Sequence, residues 1–357
     1  SYYKVQIYSP RYSNLTGSSK LIWVELKYRP RELKGFKNCK NLVRVDLPDM
    51  NNQSSAPGRI EGFKILDQAF FGCTRLTSIK ISKNVENIGE RAFAESGLKV
   101  LNLEDTGDDI DLTIGIRAFF ACRDLESVTF PERLTKISTS AFEICDNLKN
   151  VNFDYATRLY DIGENAFKQC EKLKKFDCQA SVDSIRSGAF WGCERLKVTF
   201  DEPGIGSRTI GDDAFNTCRS IEMCIVHEGT ILGMGAFANC SGIEFLALPD
   251  SLDHIPVAAF KNCINLEDVG FGKNLVSIKH SAFAGCLNLE NLDFSEAKSL
   301  REIGDNAFKD CPIEKLEIIA PQSLQRIGRG AFGNVQFVNI PRRSQIEMNG
   351  NFDYNNF

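Results

Sequence analysis

The dipeptide Ala-Phe recurs twelve times along this chain, ending at Phe70, Phe93, Phe119, Phe142, Phe167, Phe190, Phe215, Phe237, Phe260, Phe283, Phe308 and Phe332. Successive copies lie 22 to 26 residues apart, and a weaker copy at Phe36 (Gly-Phe-Lys-Asn-Cys) raises the count to thirteen between Leu33 and Pro341. A unit of this size cannot bury an apolar face by itself. It can do so only against a like neighbour, so the units must stack into a solenoid.

The rest of each unit is equally periodic. Leu-x-x-Ile-Gly-x-x precedes the Ala-Phe pair in several copies, as in Leu159, Ile162 and Phe167 or Leu300, Ile303 and Phe308. A cysteine follows the phenylalanine by three residues in eleven copies, from Cys39 to Cys311. Then comes Leu-x-x-Val-x-Leu-Pro or a variant, as in Leu125, Val128, Phe130 and Pro131. Alternating apolar residues in that last segment predict a short strand with one buried face, ended where proline has no N–H to give. The expected architecture is a curved stack of about thirteen β-containing units with a parallel sheet on one face. The phenylalanine row would pack the opposite wall. Insertions between Phe36 and Phe70 (Asp49 to Gly62) and between Phe93 and Phe119 (Glu104 to Thr113) read as corner loops.

Cys170, set among lysines, invites reading as an activated nucleophile. A nucleophile is needed once, whereas this cysteine is one rung of a ladder. Cys178 and Cys224 stand outside the ladder but occupy apolar strand slots, so all thirteen cysteines read as small packing residues. Adjacent rungs could bridge, yet a continuous column of equivalents, odd in total, reads as unpaired thiols. That suits a reducing or anoxic setting.

Net charge is −4, with both signs interspersed and no Lys/Arg-rich block, so a phosphate-binding face is not expected. No run of about 18 apolar residues offers a membrane span. The chain opens at Ser1 with no charged-then-apolar leader, and a processed or trimmed form is expected.

The composite Leu-x-x-Ile-Gly-x-x-Ala-Phe-x-x-Cys-x-x-Leu-x-x-Val-x-Leu-Pro resembles the BspA-type leucine-rich repeat. Leu275, Ile278, Phe283, Cys286, Leu289, Leu292 and Phe294 carry it in one unit, while Gly97-Leu98, Pro312-Ile313 and Asn334-Val335 depart from it. The resemblance implies a surface or secreted protein engaged in adhesion, with no catalytic motif to transfer and no cofactor. It also gives the domain reading: an N-terminal cap or degenerate repeat over 1–32, the solenoid over 33–341, and a C-terminal cap or cut edge over 342–357.

Short matches to chemistry are outweighed by the repeat. Gly328, Gly330 and Gly333 fit a dinucleotide fingerprint but fall inside the last Ala-Phe turn. His227, His254 and His280 take different repeat phases with no zinc spacing. The acidic stretch after Glu104 lacks the glycine and terminal glutamate of a calcium loop. Asn14, Asn52 and Asn239 begin glycan acceptor triplets, which matter only in a eukaryotic secretory host.

Recognition then falls to residues flanking the buried strand slot. Most are polar: Arg44 and Asp46, Ser127 and Thr129, Asn150 and Asn152. Met223, Ile225, Phe245 and Ala247 break that rule across two adjacent units and form a candidate partner-binding island. Its bland alternatives are a local register shift or a covering loop. The expected role is a non-enzymatic, extracellular, monomeric scaffold that binds a protein ligand and no nucleic acid. A carbohydrate-binding module and a spacer for a neighbouring domain are the alternatives. Trp23 and Trp191 read as isolated from the strand-face slots, which weighs against sugar platforms.

Overall fold

Repeats contribute up to two short strands each, with the phenylalanine turn between them. The computed structural model describes residues 3–9, 14–28, 31–47, 62–81, 84–103, 111–178, 181–200, 208–313, 323–333 and 347–348. Both predicted insertion loops and the 342–357 segment lie largely outside these residues, as do the outward pairs Lys315/Glu317 and Phe337/Asn339. Among the described residues there is no helix, and the strands pair in parallel, which makes a β-solenoid. The chain forms two units, Ser1–Val182 and Asp183–Phe357.

In the first unit, Val-x-Leu segments build two parallel sheets. One joins Tyr3–Ile7, Leu21–Leu26 and Arg44–Asp46; the other joins Val100–Asn102, Ser127–Thr129 and Asn150–Asn152. In the second unit the same segments give Met223–Ile225, Phe245–Ala247 and Asp268–Gly270.

A second row of strands was not anticipated. The Leu-x-x-Ile-Gly segments also pair in parallel. They run from Glu32–Leu33 to Asp161–Ile162 in the first unit, and from His254–Ile255 through Arg326–Ile327 in the second. One buried isoleucine per unit was too short a signal for alternation to reveal. The glycine after it has a packing reason. A Cβ on Gly163 would lie 2.6 Å from the Ser138 carbonyl carbon and 2.8 Å from Ile137 O of the preceding repeat. Only a bare Cα lets consecutive turns approach that closely.

Between the two rows runs the core. Phe36, Phe70, Phe93, Phe119, Phe142 and Phe167 stack in the first unit with ring centroids 5.0 to 5.3 Å apart. Phe190 to Phe332 do the same in the second, at 5.2 to 5.7 Å. All are buried, and each contributes roughly 1.5–3 kcal/mol of transfer free energy. A partial second column, Phe130, Phe153 and Phe176, meets the first edge-on, with Phe130 5.8 Å from Phe142.

The turn around each phenylalanine uses left-handed backbone on both sides. Asn165 (φ 54°) and Gln169 (φ 60°) flank Phe167 by two residues, and nearly every described copy repeats this. The turns hydrogen-bond in register from repeat to repeat, as Phe142 N–H to Ala166 O at 2.7 Å. Leu15 takes the phenylalanine place of an earlier turn. Its N–H donates to Gly35 O, Gly17 follows at φ 74°, and Cys39 Sγ donates to Leu15 O.

Candidate functional site

The cysteine ladder is the first candidate, and its geometry is structural. All thirteen cysteines are buried free thiols. The ladder thiols reach back to the phenylalanine carbonyl of the preceding turn: Cys122 to Phe93 at 3.0 Å, Cys170 to Phe142 at 3.1 Å, Cys240 to Phe215 at 3.1 Å. That carbonyl has a second lone pair in a dry interior, and the S–H supplies its donor. This bond separates cysteine from alanine at the position, a role that packing alone does not supply. Burial pushes Cys122 up to about 11 and both Cys73 and Cys263 to about 12, so these thiols stay protonated and unreactive at neutral pH.

The other sequence candidates scatter. Gly328, Gly330 and Gly333 belong to the turn that buries Ala331 and Phe332, with Gly330 and Gly333 in the left-handed region. His227 Nε2 lies 2.9 Å from Phe200 O, His280 beside Ser281, and His254 beside Ser277. Among the described residues no three metal-ligating side chains converge. No helix among them is long and apolar enough to cross a membrane.

Trp23 requires a correction. It occupies an outward slot of Leu21–Leu26, in register with Arg44, and so sits on the strand face rather than apart from it. The irregular first strands hid the repeat phase at that point. Lys4 Nζ stands 3.6 Å from the indole centroid and Arg44 Cζ 4.7 Å, one from each neighbouring strand, while Nε1–H donates to Asp46 Oδ2 at 2.7 Å. A sugar would have to displace a cation to stack there. Beside it, hydrogen bonds from Lys27, Lys4 and Gln6 hold the Glu25 carboxyl down at about 2. Trp191 lies in a phenylalanine turn, not in a strand.

Met223, Ile225, Phe245 and Ala247 lie side by side. Met223 pairs with Phe245 and Ile225 with Ala247, with no register shift. Met223 is 58% exposed, Ile225 43% and Phe245 38%, while Cys224 and Leu246 between them face the core. The next strand offers Asp268 and Gly270 in the same slots. A Cβ on Gly270 would meet nothing closer than 3.8 Å, so the floor beside Ala247 is open. The result is an apolar step with a bare strand on one side. Lys197 and Glu222, paired at 2.6 Å, add charge at its margin.

A family model described as BspA type leucine-rich repeat region (6 copies) matches residues 31–112, 109–222 and 208–339. A leucine-rich repeat protein from Bacteroides ovatus ATCC 8483 has a similar fold over 94% of this chain and 85% of its own, at 20% identity and TM-score 0.56. A leucine rich cell surface protein from Faecalibacterium prausnitzii A2-165 is 21% identical over 98% of this chain and 83% of its own, at TM-score 0.46. No curated protein matches. The family spans run without a break over the stretch in which the Phe and Cys rungs repeat. This repeat scaffold therefore belongs to the BspA-type leucine-rich repeat family.

Proposed function

We propose that the chain is a non-enzymatic recognition scaffold, displayed at or secreted from a cell surface, that docks a protein partner on the Met223, Ile225, Phe245 and Ala247 step. The observation that carries this reading is the exposure of three large apolar side chains clustered on two adjacent, in-register strands. Single exposed apolar residues are ordinary, whereas a contiguous cluster with a polar margin has the make-up of a binding hot spot. The solenoid supports it by holding the slots rigid, so little ordering entropy opposes association. Surface placement and adhesion rest on the family resemblance.

A binding array of mucosal and extracellular-matrix proteins, probed with the intact chain and with Met223→Ser/Phe245→Ser, tests the proposal. The expected result is at least one ligand that the intact chain captures and the variant does not. Uniform silence from a folded chain, or equal capture by both, contradicts it.

A further inference from the structure

The other strand row of the second unit holds a polar groove of about 570 Å³, lined by His254, Val276, Ser277, Lys279, Arg301, Glu302, Gln325 and Arg326. Its shape follows from the repeat. Ile278, Ile303 and Ile327 are in register and buried, while Glu302 and Arg326 beside them are partly exposed and Ser277 is covered. Gly304 and Gly328 take the place of Lys279 in the next two repeats and lie against the preceding turn, a Cβ on Gly304 meeting His280 N at 2.8 Å, so Lys279 projects without a like neighbour. Longer side chains line the groove around the short Ser277.

The chemistry of the lining is one-sided. Three cations, Lys279, Arg301 and Arg326, surround one carboxylate, Glu302. Arg326 Nη1 donates to Glu302 Oε1 at 2.6 Å and its Nη2 stands 3.8 Å from Asp305 at the rim, while Lys279 is 3.6 Å from Glu302. Among the described residues the Arg301 guanidinium and the Gln325 amide make no side-chain hydrogen bond or ion pair. Ser277 is only 2% exposed, and its Oγ shares a 2.7 Å hydrogen bond with His254 Nδ1. In the first unit the same row pairs Lys136 one to one with the buried Asp161 at 3.1 Å, whereas here three cations meet one lining carboxylate.

We infer that the groove binds an anionic oligosaccharide, with its carboxylate or sulfate on Arg301 and Arg326 and its hydroxyls on Gln325, Lys279 and the Ser277–His254 pair. Guanidinium forks match planar or tetrahedral oxyanions; Arg326 is already oriented by Glu302, and the exposed Arg301 is free to close on the anion. The volume lies in the usual range for small-ligand sites. An acidic peptide finds fewer footholds. Ser277–Ile278 and Glu302–Ile303 are paired on both sides, so no edge is open for strand addition, and Val276 is the sole apolar residue in the lining. This site is independent of the Met223 step, so either can fail without the other.

The test is titration calorimetry of the intact chain with trigalacturonate, a sulfated disaccharide, neutral galactotriose and a hexaglutamate peptide. The proposal expects binding of one or both anionic sugars, weakening with salt, and little from galactotriose. Arg301→Ala, an exposed substitution that leaves the fold intact, is expected to weaken that binding about tenfold or more. Arg301→Lys recovers part of it, and Met223→Ser/Phe245→Ser leaves it unchanged. The uronate and sulfate arms separate the two anions. Absence of binding by both anionic sugars, equal binding of galactotriose, tighter binding of hexaglutamate, or indifference to Arg301→Ala would overturn the assignment.

Discussion

Two three-stranded sheets, Val100–Asn102 with Ser127–Thr129 and Asn150–Asn152, and Met223–Ile225 with Phe245–Ala247 and Asp268–Gly270, share one backbone and differ in what they show to solvent. Both are parallel and in register without shifts, and both bury their middle residues: Leu101, Val128 and Val151 in one, Cys224, Leu246 and Val269 in the other. The first presents Ser127, Thr129, Asn150 and Asn152, with Val100 its lone apolar residue. The second presents Met223, Ile225, Phe245 and Ala247. Stacking constrains the inward slots in every repeat and leaves the outward ones unconstrained. An apolar cluster that the fold does not require has to be explained by something outside the fold.

The largest effect expected separates core from surface. Phe142→Ala and Phe237→Ala each remove a ring stacked on both sides and should cost about 3–5 kcal/mol in denaturant unfolding. Outward substitutions in either sheet should stay within about 0.5 kcal/mol. Equal costs would erase the distinction between the slots. Next comes recognition: Phe245→Ser should weaken an identified protein partner by about 2 kcal/mol, and Asn150→Ser should leave affinity unchanged.

The turns allow a smaller test. In the second unit the left-handed place two residues after phenylalanine holds asparagine in two successive turns, with Asn262 Nδ2 donating to Asn239 Oδ1 at 2.9 Å and Asn239 Nδ2 to Asn216 Oδ1, beside the left-handed Thr217, at 2.9 Å. In the first unit the same place holds Ile144 at φ 62°, where a β-branched residue is strained. Ile144→Asn should raise stability by about 1 kcal/mol, read from the denaturant midpoint.

Titration effects vanish near neutral pH and appear with opposite signs at the two ends of the pH scale. Cys73 and Cys263 are raised from 9.0 to about 12 in the fold, so above pH 9 the unfolded chain loses protons that the native one keeps. Stability should be full below pH 9 and fall as pH climbs toward 12, with less slope in a Cys263→Ala variant. Glu25 is depressed to about 2, so its contribution is present above 4.5 and lost as pH falls toward 2. An NMR titration of Glu25 should give the low midpoint, and Lys27→Ala should raise it.

The sequence made the Phe and Cys rungs and the inward strand slots legible because they repeat, and repetition multiplies a weak signal thirteenfold. It hid four things. The second strand row shows only one buried isoleucine and one glycine per turn. The cysteine hydrogen bond joins a side chain to a backbone carbonyl about 25 residues away, which no local pattern encodes. Trp23 precedes the first regular turn, so its phase could not be counted. The Arg301 groove was illegible because it brings together side chains from four successive repeats.

Hydroxyl-radical footprinting of the folded chain, alone and with its bound protein partner, tests the central claim most directly. The account predicts that Met223 and Phe245 oxidise readily in the free chain and become protected in the complex, while Phe142, Phe237 and the ladder cysteines stay unmodified in both. Oxidation of the phenylalanine column at rates matching Phe245, or protection that falls on Asn150 and Asn152 and spares Met223, would contradict it.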